Sequence, residues 1–545
     1  MLSGVSVTPT VAGAGLTFIV TGSTKTGTAT FTVNPGTLDH FAISTITSPQ
    51  TAGTPITGIT LTAQDVNNNT VTSFTTTVAY SGTAGITGTS LAFTAGVLSS
   101  VSVTPTVAGA GLTFVVTGST KTGTATFTVN PGTPTQLVWT QQPSAVFVGA
   151  TMSPAVTVAV EDAWGNVATT ASGTVTLALT TPGGATLTGG DLVPVSSGVA
   201  TFSSLSIDKY AAGYTLTPTT TVSGVTTLPV SQSFTVTLIA VYVTNRGSNS
   251  VSVVNGATNT VMSTISDLKT PYAVAIDSVH AFAYVSLIDA RDDGNDSVAV
   301  INIATGSVAR RVEAGNKPKG VAISPGSDPA YIFVANSSDG TMSAIHVDNP
   351  AFSTFRGPWA GATSPGDLVA LPDHVWIVMS GSNSVFRYDH ATGTGTVSVP
   401  VGTDPYGIAA NGRYLYVTNY GGGTGNTVSV IDTTTSSVTS TVTGVGLGPA
   451  GIAITPDGTR AYVANNAAGT VSVIRTSDNE VVGGPITVGS GPNGVAVSLA
   501  GDYVYVANIG SGTVSVIATA TNTVVQTVTV GTNPFNVAVV RLPTP

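Results

Sequence analysis

Tyr416-Val-Thr-Asn419, followed after a Gly/Thr/Asn turn by Val428-Ser-Val-Ile-Asp432, sets the architecture of the C-terminal half of this 545-residue chain. Both pieces are rich in β-branched and aromatic residues, and a turn-forming cluster separates them, which is the signal of paired strands. The first piece recurs as Tyr242-Val-Thr-Asn245, Tyr284-Val-Ser-Leu287, Phe333-Val-Ala-Asn336, Trp376-Ile-Val-Met379, Tyr462-Val-Ala-Asn465 and Tyr505-Val-Ala-Asn508. Successive copies are 42, 49, 43, 40, 46 and 43 residues apart. Each copy also has a proline that opens a further strand: Pro271, Pro318, Pro365, Pro405, Pro449, Pro492 and Pro534. Four short strands repeated seven times at this period predict a seven-bladed β-propeller over 239–545.

The phase of the repeat predicts how the ring closes. The first copy enters at the second strand of a blade, and Asn536-Val-Ala-Val-Val540 remains at the end with no blade of its own. That last strand is expected beside Ala240–Thr244, innermost in the first blade, so that no open edge is left.

Working outward, the N-terminal half has a longer period. Leu2–Thr37 returns at Leu98–Thr133, with only Gly4/Ser100 and Ile19/Val115 different. The unit is therefore 38–133, and 1–37 corresponds to its second half, so the chain is expected to begin inside a repeat. Ile59, Leu61 and Ala63 alternate onto one face, as do Ala125, Phe127 and Val129. About seven such strands in about 100 residues predict an immunoglobulin-like sandwich. A divergent unit follows at 134–238. Asp65-Val-Asn-Asn-Asn69 of one unit aligns with Asp162-Ala-Trp-Gly-Asn166 of the other, a shared tight turn with Asn68 and Gly165 at the left-handed position. The fold class is all-β: tandem Ig-like sandwiches followed by a propeller.

Composition narrows the function classes. There is no cysteine, which excludes disulfides, thiol chemistry and Cys-ligated metals. Only 8% of residues are charged, and the net charge of −9 argues against nonspecific nucleic-acid binding. Apolar residues are scattered, with no run long enough to span a bilayer. A hydroxyl-rich, charge-poor surface predicts an extracellular or cell-surface protein.

The propeller segment resembles the YVTN repeats of surface-layer proteins, with Leu287 and Met379 departing where that pattern has Asn. Residues 1–237 resemble the bacterial Ig-like repeats of surface adhesins of the invasin and intimin kind. These resemblances imply a non-enzymatic surface protein, an Ig-like stalk with a propeller head for adhesion or ligand binding. Its partners would be a cell-surface glycan, peptide or protein. The alternative is a structural subunit of a surface layer or filament that contacts neighbouring copies. A propeller enzyme of lactonase type is the third reading, since no nucleophile–histidine pair or Gly-x-Ser-x-Gly motif is present.

Two sets of side chains are candidates for chemistry. The residues after the prolines are expected to ring one mouth of the channel: Tyr272, Lys319, Asp367 (one position further on), Tyr406, Ala450, Asn493 and Phe535. The turns after the YVTN-like strands open on the same face. Aromatics, a cation, an anion and an amide around one opening suit a ligand site. The second set is Asp289, Asp292, Asp293, Asn295 and Asp296, which offers oxygen ligands for calcium. Its order departs from an EF-hand and includes Arg291, so a solvated hairpin tip is the competing reading. No other cofactor is expected.

Overall fold

The structure is a computed structural model that describes residues 5–180, 184–289, 296–324, 331–347, 353–356, 363–390 and 392–542. It is all-β, with two 3-10 turns among the described residues. The chain divides into two compact units, one built from residues up to 234 and one dominated by 235–545.

In the first unit, strands His40–Ile43, Ile56–Gln64 and Val97–Val103 form one sheet. Lys121–Asn130, Gly109–Gly118 and shorter strands form a second. Their inner faces share one core that includes Leu61, Phe114, Val116 and Phe127. Phe41, Phe74 and Phe93 meet there edge-on and tilted, with centroids 5.1–5.9 Å apart. The expected alternation holds, because Ile59, Leu61 and Ala63 are all buried. Residues 13–33 form the hairpin Gly13–Gly22 and Lys25–Val33. It is the sequence copy of Gly109–Gly118 and Lys121–Asn130, with different burial: Phe114 is fully enclosed and its counterpart Phe18 only half-buried. The facing sheet of His40–Ile43, Ile56–Gln64 and Val97–Val103 is what encloses Phe114.

The described residues of the second unit form seven blades. Blade 2 runs Pro271–Asp277, Phe282–Leu287, Ser297–Asn302 and Ser307–Glu313, and each strand pairs with the next in antiparallel order. Blades 3, 4, 5 and 7 repeat this order, starting at Pro318, Pro365, Pro405 and Pro492. Blade 6 starts at Pro449, and its outer strand is split into Glu480–Val481 and Ile486–Thr487. Blade 1 closes as the repeat phase requires. Pro534–Leu542 lies innermost, against Phe234–Asn245, with Val241 opposite Val539 and Thr244 opposite Asn536.

Each recurrent residue has a physical task. The aromatic that opens each copy is enclosed between blades. The hydroxyls of Tyr416 and Tyr462 reach into a turn of the blade beyond, donating to Asn479 Oδ1 at 2.6 Å and Asn522 Oδ1 at 2.8 Å. The terminal Asn ties strand two to strand three. Asn336 Nδ2 donates to Thr341 and Ser343 Oγ, and Asn419, Asn465 and Asn508 repeat the pattern. Leu287 and Met379 replace this polar tie with apolar burial.

Candidate functional site

Each inner strand starts with a break in register. Pro271 pairs with Leu287 and the ladder resumes only at Val274; the same gap follows Pro318, Pro365, Pro405, Pro449 and Pro492. Such a bulge takes the intervening residues out of the ladder and re-aims their side chains. Tyr272, Lys319, Asp367, Tyr406 and Phe535 accordingly border one cavity of about 180 Å³. Asn493 is buried beside it and donates to Phe535 O at 3.0 Å. The Tyr406 hydroxyl lies between Asn493 and the Tyr272 hydroxyl, close enough for each to influence its ionisation. Burial pushes both phenols up, so both stay protonated as donors.

The position after these side chains explains the shift at Asp367. It is glycine in blades 3, 5, 6 and 7, because inner strands approach so closely there that a Cβ at Gly451 would lie 2.1 Å from Asn493 O. In blade 4 the order is reversed, with Gly366 first and Asp367 in the tight position. Asp367 Oδ2 accepts the Ile408 N–H of blade 5 at 3.2 Å, and Oδ1 accepts its neighbour Leu368 N–H at 3.0 Å. Asn536 occupies the same position in blade 1, and its Oδ1 accepts the Val274 N–H of blade 2 at 3.2 Å. A neutral amide therefore suffices for the clip, and the negative charge at 367 exceeds what the fold needs. Asp367 is half-buried and borders the cavity. Burial raises it to about 6 against the pull of those two N–H groups.

Lys319 is half-buried on the cavity and has no ion-pair partner among the described residues. Burial lowers it, and the Asp404 carboxylate opposes that shift. The Arg246 guanidinium sits 5.0 Å from the Tyr272 ring centre and 4.6 Å from that of Phe535, capping the pair. Hydroxyls knit the ring of site residues from blade to blade. Thr244 donates to Tyr272 O, Ser286 to Lys319 O, each at 2.8 Å, and Thr418 to Ala450 O at 2.6 Å.

Sequence reasoning missed Arg246, Ser380, Asp404 and Tyr420 as members of the mouth. Three of them directly follow the YVTN-like strand, and the shared face of those turns was the signal available for finding them. The acidic loop is divided. Asp292, Asp293 and Asn295 lie outside the described residues. Asp289 pairs with Lys269 at 2.6 Å, and Asp296 is buried and accepts the Lys317 N–H at 2.6 Å. These two carboxylates are thereby engaged by protein groups. Among the described residues no group of three or more carboxylates and histidines is placed to hold a metal.

Residues 414–535 match the family model for lactonase, a seven-bladed β-propeller. This match overturns the expectation of a non-enzymatic adhesion head or structural subunit and points to an enzyme-type propeller. The expectation rested on the resemblance to surface proteins and on the absence of a nucleophile–histidine pair, neither of which excludes an enzyme-type propeller. A PE-PGRS family protein of Mycobacterium tuberculosis is 52% identical over 54 residues, 10% of this chain and 11% of that relative. The chain thus spans about a tenth of that protein's length. Solved structures with a similar fold include a functionally unknown protein from Desulfotomaculum acetoxidans. It has 16% identity and a TM-score of 0.47 over 55% of this chain and 98% of that one. A putative 6-phosphogluconolactonase from Bacteroides fragilis has 16% identity and a TM-score of 0.45 over the same shares.

Proposed function

We propose that the propeller is a hydrolase of lactonase type that opens a small cyclic ester in the mouth around Asp367. The observation that carries this reading is the excess charge at Asp367, a carboxylate where the equivalent Asn536 performs the backbone clip without one. A carboxyl near pH 6 is poised to take a proton at neutral pH, as a general base must. In the proposed step, Asp367 accepts a proton from water while the water oxygen attacks the lactone carbonyl. The Tyr272 and Tyr406 hydroxyls and the Lys319 ammonium stabilise the resulting oxyanion. The ring C–O bond then breaks, and the leaving alkoxide takes up the proton, so that lactone and water give one hydroxy acid. The cavity falls below the roughly 300 Å³ at which drug-sized ligands are held, and this supports a single small ring as substrate.

The wider reading keeps the sequence-based division into 1–37, 38–133, 134–238 and 239–545. The Ig-like and YVTN resemblances and an extracellular location form part of it. Hydrolysis of a panel of γ- and δ-lactones by the full chain, followed by acid release at pH 7.5, tests the activity. Turnover above background is expected, with kcat lowered at least about 100-fold in Asp367→Asn. No turnover of any lactone, or equal turnover by the variant, overturns the reading.

A further inference from the structure

The turn shared by the two N-terminal units makes contacts that a turn alone does not require. In the first, Asp65 Oδ1 accepts the N–H groups of Asn67 and Asn69, each at 2.9 Å, which shapes the loop. Asp65 Oδ2 accepts the N–H of Gly36, a residue of the preceding repeat, at 2.8 Å. Asn69 then clasps that repeat's backbone from both sides. Its Oδ1 accepts the Ala12 N–H at 2.8 Å, and its Nδ2 donates to Thr10 O at 2.9 Å.

The second copy of the loop repeats every one of these bonds on the next repeat. Asp162 Oδ2 accepts Gly132 N–H at 2.8 Å, Asn166 Oδ1 accepts Ala108 N–H at 2.8 Å, and Asn166 Nδ2 donates to Thr106 O at 2.9 Å. Thr10, Ala12 and Gly36 correspond to Thr106, Ala108 and Gly132 exactly one repeat later. The loops themselves have diverged, from Val-Asn-Asn to Ala-Trp-Gly, and only the Asp and the Asn survive. A local turn needs the Asp for its own N–H groups, and Asn68 or Gly165 supplies the left-handed step. The terminal Asn also ties its own loop, donating Nδ2 to Asp65 Oδ2 at 3.0 Å in one copy and to Asp162 Oδ2 at 2.8 Å in the other, but neither requirement accounts for its Oδ1, which accepts from the neighbouring repeat.

We propose that Asp-x-x-x-Asn is a repeat-docking site whose partner is the Thr-Val-Ala segment of another repeat of this kind. It reads backbone only, one N–H and one C=O two residues apart, plus a glycine N–H. The site therefore accepts any preceding repeat that presents this extended stretch, and it couples neighbours into one cooperative array. At the second joint Trp164 adds apolar contact, lying so close to Gly53 that a Cβ there would meet the ring at 2.0 Å. Asn67 stands at the matching position of the first joint, which makes the second the tighter of the two.

Amide hydrogen exchange on the full chain tests this, because each joint has its own reporter amides. Asn69→Ala should speed exchange at Ala12 and Gly36 about tenfold and leave Ala108 and Gly132 unchanged, as expected for loss of a locally coupled contact. Asn166→Ala should do the reverse, and Asn67→Ala should change neither. Exchange at Leu61 and Val116 reports whether the core of 38–133 is intact. Should Asn69→Ala disturb that core, Ala12→Pro removes the donor from the other side and should speed exchange at Gly36 alone. Unchanged exchange at Ala12 and Gly36 in Asn69→Ala, or at Gly36 in Ala12→Pro, would overturn the proposal. So would acceleration spread equally over both joints.

Discussion

In the repeat region, Asp65 accepts three backbone N–H groups and the Asn69 amide, which together hold its carboxyl down at about 2. In the propeller mouth, Asp367 accepts two N–H groups, and burial drives its carboxyl up to about 6. The side chain is the same in both places. What differs is how many donors have been supplied for the charge and how deep in the protein it lies, since Asp65 is itself shielded from solvent. Where donors are complete, the carboxylate is a structural fastener. Where they are incomplete and a cavity opens beside it, the carboxyl is raised, as the proposed proton transfer requires.

The largest effect that would sharpen this contrast lies in the propeller's closure. Deleting residues 536–545 removes buried Val537, Val540 and Leu542 from the inner strand of blade 1 and exposes a sheet edge. A loss of at least about 5 kcal/mol is expected, at 1.5–3 kcal/mol for each buried side chain. Unfolding by denaturant, with the repeat region as an internal reference, measures it. An unchanged propeller transition would break the account of closure.

Next come the two kinds of aspartate, for which opposite signs are expected. Asp162→Ala leaves the N–H groups of Gly132, Trp164 and Asn166 without their acceptor, and it should cost about 2 kcal/mol. Asp367→Asn keeps the clip that Asn536 makes and removes a charge that burial disfavours. Between pH 3.8 and about 6 the folded protein retains a proton at Asp367 that the unfolded chain has released. Stability from this group is therefore greatest below the unfolded value, falls as pH rises to about 6, and is level above. The Asn variant should be more stable than the parent by about 2 kcal/mol at pH 7.5 and equal to it near pH 3.5. Access of water to the cavity keeps the figure below that of the full shift. Urea melts at the two pH values decide it.

A smaller effect concerns how the mouth is held. Thr418 accepts the Gly407 N–H at 2.8 Å and donates to Ala450 O, tying the strand that carries Tyr406 to the next blade. Thr418→Val should cost about 1 kcal/mol and lower lactone turnover, with Thr418→Ser restoring both. Parallel melts and rate measurements on the two variants check it.

Much of the propeller was legible because its information is periodic. Seven prolines gave the inner strands, and the phase of Tyr242 and Asn536 gave the closure. The same prolines located six of the mouth's side chains, because a bulge recurs at each. What the repeats could not disclose was departure from their own average. The exchange of Gly366 and Asp367 reads as a one-residue irregularity, and its meaning lies in the Ile408 N–H of another blade. Arg246 and Tyr420 were hidden because a residue after the recurrent Asn looks like an ordinary turn. The role of Asn69 was hidden for a similar reason, since its partners lie 57 and 59 residues away.

The central claim is that the two aspartates are held in opposite protonation regimes by their surroundings. Carbon-detected NMR titration of the aspartate carboxyls tests it most directly, with Asp367→Asn and Asp65→Asn assigning the two resonances. The Asp367 carboxyl should titrate with a midpoint near 6, and that of Asp65 should show no titration above pH 3. Both resonances titrating together near pH 4 would contradict the account.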